Sequence, residues 1–407
     1  MPKIAVILLP GILGSPLVNE YGEEAWPIHE MSTTNVSNVG WWSMHANFED
    51  KLKLFVDVSD DFMPRTLAIP ASITKTAINR VAPFYHDFLA GLRDSRLKGP
   101  DGKTLKFNAD EYLVHVINYD WSRPVIDSCV NVVRDTYNFV FKERCEKFIY
   151  LTHSMGGIVG MATLGNKWIQ ENCLGIVRVA CPVAGAVETV ARLFRGIKAG
   201  WGDIEEYFLS LILGDSGPKF SIFAACIPGL ASLLPQFPSG DQRPTLIVKA
   251  ILDHHFDGPA RRAYWYNEED RAYMFGRKHL TVMKNRFEAN IITANILIHR
   301  NLIPYEKTIR EKVIAVALSG KQTLQRYTVN KKDNNNPSIT TDEVWDTSGD
   351  GTVPVRSQTL FAGNDNPFPR DSGIEVSGGI EHANAFSDKR TWPYIIAAMN
   401  ELMRRMR

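Results

Sequence analysis

Short apolar runs rich in β-branched residues recur at Lys3–Leu9, Tyr112–Ile117, Lys147–Leu151, Ile176–Ala180 and Val313–Leu318. Most of their positions are apolar, without a clean alternation of inside and outside, which is the pattern of strands covered on both faces of a parallel sheet. Between them, Ser72–Leu97, Val125–Glu146 and Met155–Gln170 read as helices long enough to cross back over such a sheet, and Lys389–Arg407 reads as a closing helix. The alternation of strand and helix predicts the α/β class, with a mostly parallel sheet flanked by helices.

The rhythm breaks between residues 186 and 310, where aromatic and apolar residues such as Tyr207-Phe208-Leu209, Phe220, Phe223, Leu233-Leu234-Pro235, Phe237 and Tyr264-Trp265-Tyr266 are punctuated by proline and glycine. Connections within α/β folds are short, so a helical cap inserted at 186–310 fits better than ordinary crossovers. The core is then 1–185 together with 311–407. Asp333-Asn334-Asn335-Asn336-Pro337 reads as a polar turn or hairpin loop.

Composition narrows the function classes. The 407 residues are 44% hydrophobic and 22% charged, as in folded globular proteins, and the net charge of +1 gives no broad attraction for nucleic acid or for an anionic membrane. Transient contact with a membrane surface stays open through a local patch. The five cysteines (Cys129, Cys145, Cys173, Cys181, Cys226) are odd in number and lack CxxC spacing, so reduced thiols are expected and no disulfide framework or thiolate metal site. The apolar run after Lys3 is too short for a signal peptide or a membrane span, so a cytoplasmic protein is expected, although export without a signal would leave no mark.

Phe148-Ile149-Tyr150-Leu151-Thr152-His153-Ser154-Met155-Gly156-Gly157 carries the strongest chemistry. An apolar strand runs through a tight turn of small residues directly into a helical pattern, which is the setting of a nucleophile elbow at Ser154. A serine that merely caps a helix does not need Gly156-Gly157 after it. An alcohol needs a base within hydrogen-bond reach, and the base needs an orienting carboxylate. Asp350, in Gly349-Asp350-Gly351-Thr352-Val353-Pro354, and His382, after Gly378-Gly379-Ile380-Glu381, follow Ser154 in the chain order that such elbows use. For an oxyanion hole the backbone N–H of Met155 is the first candidate, and that of Ile12, in the glycine-rich loop Pro10–Ser15 after the first strand, is the second. That loop lacks the GxGxxG and lysine signatures of phosphate cradles.

Pro10-Gly11-Ile12-Leu13-Gly14-Ser15, Trp26-Pro27, Tyr119-Asp120-Trp121-Ser122-Arg123, Thr152–Gly157, Leu233-Leu234-Pro235 and Gly349–Pro354, taken in order, resemble the landmarks of the lecithin:cholesterol acyltransferase family, which includes lysosomal phospholipase A2 and phospholipid:diacylglycerol acyltransferase. The resemblance implies an α/β-hydrolase core, a cap and lid, a triad of Ser154, Asp350 and His382, oxyanion amides at Ile12 and Met155, and acyl transfer from a lipid ester to water or an alcohol. No cofactor and no metal are expected, because protein groups would supply nucleophile, base and oxyanion donors and the chain shows no metal-ligand spacing. A candidate lid loop spans 15–50; the secreted animal members close theirs with a disulfide, whereas this stretch has no cysteine, so if it covers the site the loop around Trp26 and Trp41-Trp42 must be held by packing. Trp26, Phe220, Phe223, Leu233 and Leu234 are the candidate substrate contacts.

Other residues carry blander readings. Asp253-His254-His255-Phe256-Asp257 lacks partner ligands at metal-binding spacing, His153 is expected to pack beneath the elbow, and Asp120 and Arg123 are expected to brace neighbouring loops. The basic end Met403–Arg407 reads as a helix terminus. A serine acyl hydrolase or acyltransferase on a lipid ester is therefore the leading expectation, such as a phospholipase A or a lipase. An esterase, lactonase or amidase for a soluble substrate is the second, because fold does not set substrate. A non-catalytic interaction protein on the same scaffold is the third.

Overall fold

The computed structural model describes residues 3–26, 48–57, 63–73, 78–94, 96–97, 112–197, 216–235, 277–331, 339–359 and 374–404. Five apolar runs become strands β1 (Ile4–Leu9), β2 (Tyr112–Val116), β3 (Lys147–His153), β4 (Cys173–Val179) and β5 (Val313–Ser319). Every residue of β1 and β5 is buried, as the absence of polar alternation requires. After β5 come an antiparallel hairpin, β6 (Thr323–Lys331) and β7 (Ile339–Asp346), and a last short strand, β8 (Ile374–Ser377). The expected polar turn at Asp333–Pro337 lies outside the described residues.

The central sheet has the order β8-β5-β4-β3-β1-β2, with all neighbours parallel. From β1 the chain passes to β2 at one edge, then returns to β3 on the other side of β1 and proceeds outward to β8. The direction of winding therefore reverses between β1 and β3. In open α/β sheets the crevice beyond the carboxyl ends of strands at such a reversal is where ligands bind. Here those ends are Leu9 and His153, next to the glycine-rich loop and Ser154.

The helices follow the sequence reading in part. Among the described residues, helix α1 (His86–Arg93) is the α-helix that forms within the one expected over Ser72–Leu97. Ser72–Ile73 instead pairs with Ile78–Asn79, and Pro83–Tyr85 forms a tight turn. Pro83 holds Ala82 extended and contributes no N–H, so a continuous helix through it is disfavoured. Helix α2 (Val125–Lys142) buries Val125, Ser128, Cys129, Val132, Thr136 and Val140 at helical spacing and ends before Arg144, whose φ is +55°. The segment Met155–Gln170 splits into α3 (Met155–Thr163) and α4 (Lys167–Asn172), because Asn166 Oδ1 accepts the Ile169 N–H at 3.2 Å and starts a new helix.

Between β4 and β5 the described chain is helical: α5 (Val187–Arg195), α6 (Gly217–Cys226), a 3₁₀ turn at Pro228–Leu233 and α7 (Arg277–Ile296). The stretches 198–215 and 236–276, including the aromatic cluster Tyr264–Tyr266 and the Asp253–Asp257 segment, lie outside the described residues. The base of this insertion is tied to the end of β4: the Ala186 N–H donates to the Leu233 carbonyl at 2.8 Å, and Ser357 Oγ donates to the Gly185 carbonyl at 2.6 Å. A Cβ at Gly185, whose φ is +84°, would lie 2.4 Å from the Pro235 nitrogen, so the Leu233-Leu234-Pro235 landmark sits at a place with room only for glycine opposite. The chain closes with α8 (Val355–Thr359) and α9 (Trp392–Arg404).

Candidate active site

Strand β3 delivers the chain to Ser154, where φ is +49° and ψ is −127°. A non-glycine residue avoids this region unless its surroundings impose it. The imposition is visible on both sides of the turn. The Ser154 N–H donates to the Val179 carbonyl and its carbonyl accepts from Gly157, while a Cβ at Gly156 would come within 2.4 Å of the Leu9 and Pro10 carbonyl oxygens. At Gly157 a Cβ would lie 2.5 Å from Cys181 Sγ. The two glycines thus let α3 press against the end of β1 and against the loop after β4, which holds the serine at the tip of the turn.

The three residues that chain order singled out meet there. His382 Nε2 lies 2.8 Å from Ser154 Oγ, and His382 Nδ1 lies 2.7 Å from Asp350 Oδ2. Asp350 is 1% exposed. Its other oxygen accepts the Thr352 and Val353 N–H groups at 3.0 and 2.7 Å, so the Gly-Asp-Gly loop wraps its own carboxylate. The His382 N–H donates to the Asp350 carbonyl at 2.9 Å, which fixes the two loops to one another. Gln358, not singled out in the sequence, completes the acid's surroundings. Its Nε2 donates to Asp350 Oδ2 at 3.3 Å and to the Val353 carbonyl at 2.8 Å, and its Oε1 accepts from the Leu318 N–H at 2.7 Å.

The loop Pro10–Ser15 is a tight turn closed by Gly14 N–H to the Gly11 carbonyl, with Leu13 at φ +63°. Four aromatic side chains hold it by their polar tips. Tyr119 Oη donates to the Pro10 carbonyl at 2.7 Å, Tyr85 Oη accepts the Gly11 N–H at 2.9 Å, Trp26 Nε1 donates to Leu13 at 2.8 Å and Trp121 Nε1 to Ser15 at 2.9 Å. Buried tyrosine and tryptophan ordinarily satisfy their one polar group in this way. The two N–H groups expected to form an oxyanion hole, those of Ile12 and Met155, have no hydrogen-bond acceptor among the described residues, whereas Gly11 and Gly14 beside Ile12 are both engaged.

The candidate substrate contacts occupy different surroundings. Trp26 is buried, and its indole packs edge-on against Trp121 with ring centroids 5.8 Å apart. Phe55 lies beside Trp121 on one side and beside Phe223 on the other, at centroid separations of 5.7 and 5.6 Å. Phe220, Phe223, Leu233 and Leu234 are all buried within the continuous apolar core. Of the candidate lid loop, residues 27–47 lie outside the described residues; Leu17–Asn19 is the middle strand of a small antiparallel sheet, pairing with Glu24–Trp26 on one side and Thr66–Ala68 on the other.

Asp120 braces this corner, as expected. Its Oδ1 accepts from Ser122 and its Oδ2 from Thr66 Oγ1 at 2.9 Å and from Arg123 at 3.2 Å, while burial raises its carboxyl above the usual range. Among the described residues no group of three or more His, Cys, Asp or Glu side chains could hold a metal ion, and no helix is long and apolar enough to cross a membrane.

No protein-family model matches the sequence, and no curated protein matches it. Solved structures do match. A chain in the crystal structure of the Tle4–Tli4 complex aligns with a TM-score of 0.68 at 13% identity, covering 99% of each chain. An α/β hydrolase fold protein from Nakamurella multipartita aligns at 11% identity and a TM-score of 0.33, over 100% of this chain and 94% of that one. An acetylester hydrolase from Corynebacterium glutamicum aligns at 12% identity and a TM-score of 0.32, over 73% and 78%. With a parallel sheet reversing its winding between β1 and β3, and a strained serine turn at the carboxyl end of β3, the chain has the α/β-hydrolase fold.

Proposed function

We propose that the protein is a serine ester hydrolase or acyltransferase working through an acyl-enzyme on Ser154, and that its substrate is a lipid ester. The observation that carries the reading is the continuous line of contacts from Ser154 Oγ through His382 to Asp350, at 2.8 and 2.7 Å. With Asp350 accepting the Nδ1–H, the free lone pair of His382 lies on Nε2 and faces the serine hydroxyl. Attack of Ser154 Oγ on the ester carbonyl carbon then transfers the hydroxyl proton to Nε2. The tetrahedral oxyanion is held by the Ile12 and Met155 N–H groups, and it collapses as His382 returns the proton to the departing alkoxide. Water, or an acceptor alcohol, repeats the sequence in reverse and releases the acyl group.

The lipid part of this reading rests on the likeness of six ordered motifs to the lecithin:cholesterol acyltransferase family and on the apolar insertion between β4 and β5. That segment adjoins the residue after Ser154, since a Cβ at Gly229 would lie 3.1 Å from the Met155 methyl carbon. One observation favours the second reading, a soluble ester: Phe220, Phe223, Leu233 and Leu234 are already covered by protein neighbours, so none needs an acyl chain to cover it. Turnover of a series of p-nitrophenyl esters separates the two. An acyl route stabilises each buried methylene by about 0.8 kcal/mol, so kcat/KM should climb steeply with chain length for a lipid enzyme. A flat series, with turnover still abolished in Ser154→Ala, would assign the same chemistry to a soluble ester.

A further inference from the structure

The residue before the elbow serine makes contacts that simple packing does not explain. His153 is buried, yet both of its ring nitrogens are engaged: Nδ1 lies 2.7 Å from Tyr85 Oη and Nε2 lies 3.1 Å from the backbone carbonyl of His382. The directions of these bonds follow from the groups themselves. A carbonyl only accepts, so His153 Nε2 carries the hydrogen. The ring is neutral, because burial and the neighbouring His382 hold its protonation far below the ordinary histidine range. Nδ1 is then the acceptor, and the Tyr85 hydroxyl donates to it. That leaves a lone pair of the Tyr85 oxygen for the Gly11 N–H at 2.9 Å.

The result is one polarised chain, Gly11 N–H to Tyr85 O–H to His153 Nδ1, then His153 Nε2–H to the His382 carbonyl. Its ends are the two parts of the site that have no covalent reason to stay in register: the loop bearing the Ile12 oxyanion donor and the backbone of the base. Its middle is the residue joined to the nucleophile. Phe84 and Phe386 pack edge-on around the His153 ring, with centroids 6.0 and 5.6 Å away, and exclude groups that would compete for its nitrogens.

We propose that Tyr85 and His153 are positioning residues that hold the oxyanion loop, the nucleophile turn and the backbone of His382 in a single register. The proposal rests on the serine hydrolase reading. Neither side chain reaches the reacting atoms, so their effect belongs in kcat. Outer-shell partners that orient the ligands of metal sites account for about 10–100-fold in activity, and a loss of the same order is expected from residues that orient this site.

The test uses the full chain, a p-nitrophenyl ester turned over by the wild-type protein, and fluorophosphonate titration to count active sites. Tyr85→Phe and His153→Leu should each lower kcat per titrated site by roughly 10–100-fold with KM nearly unchanged, and the double variant should lose little more than the worse single one. His153→Gln, whose amide can still donate to the His382 carbonyl, should recover part of the loss. If the losses multiply, or if kcat per titrated site is that of wild type while only the melting temperature falls, the relay is wrong and the two residues are ordinary core. Should Tyr85→Phe fail to fold, the His153→Leu and His153→Gln pair decides alone: partial recovery with glutamine supports the relay and none overturns it. Ser154→Ala separates the failures. If it retains turnover, the serine reading has failed; if it is inert while Tyr85→Phe matches wild type, only the relay has.

Discussion

The side of the molecule around Ser154 and the insertion between β4 and β5 are built from different interactions. Around the serine turn nearly every element is placed by a directional bond: the Asp350 carboxylate by two backbone N–H groups and Gln358, the Pro10–Ser15 loop by four aromatic polar tips, and His382 by Asp350 and Ser154. The described part of the insertion is held mainly by apolar burial, with Phe220, Phe223, Leu230, Leu233 and Leu234 in the continuous core. Directional bonds fix atoms to the fraction of an ångström that proton transfer demands, while apolar contact accepts many shapes. On the proposed reading, the chemistry belongs to the first region and the choice of acyl group to the second.

The contrast predicts which changes affect rate and which affect stability. Ser154→Ala should leave the melting temperature close to wild type and reduce turnover by about a millionfold, measured as kcat on any ester that wild type accepts. Near-wild-type turnover in this variant would break the comparison at its root. Asp350→Asn keeps the shape but presents an amide in place of an acceptor, which favours the wrong His382 tautomer; the expected loss is about ten-thousandfold. Steady-state kinetics check it, with circular dichroism to show that the fold is retained.

On the other side, Phe223→Ala removes a ring packed edge-on against Phe55 and should cost about 3–5 kcal/mol in urea unfolding. Activity per folded molecule on a short-chain ester should stay near wild type. A variant with unaltered stability but lower long-chain turnover would show instead that Phe223 lines an acyl route. The smallest effect expected is Gly156→Ala, which tests the packing of the serine side itself, because its Cβ would meet the Leu9 and Pro10 carbonyl oxygens at 2.4 Å. Displacing α3 from the end of β1 should cost about 1–3 kcal/mol in unfolding free energy and also slow turnover, since Ser154 moves with the helix.

What was legible in the sequence follows the same division. Strands β1 and β3 to β5 are readable because doubly covered strands are apolar almost throughout, the edge strand β2 by its shorter apolar run, and the meeting of Ser154, Asp350 and His382 because each lies on or just after a glycine-bearing turn, in that chain order. Strand β8 was not, being four residues at a sheet edge in which only Val376 is buried. The false helix over Ser72–Leu97 concealed Tyr85, whose role depends on partners 68 and 74 residues away in the chain. Gln358 was equally silent, since a glutamine on a short helix announces nothing until the acid it holds is seen beside it. Trp26 and Trp121 stand within sequence landmarks, but only the fold shows that their indole N–H groups suspend the Pro10–Ser15 loop.

The central proposal is that Ser154 is a nucleophile activated by His382, whose ring is held by Asp350. Fluorophosphonate labelling followed by peptide mass spectrometry tests it most directly, on wild type, His382→Ala and Asp350→Asn in parallel. The account predicts one adduct, on the peptide containing Ser154, formed rapidly in wild type and far more slowly in both variants. An adduct on another residue, or labelling of Ser154 at the wild-type rate without His382, would contradict it.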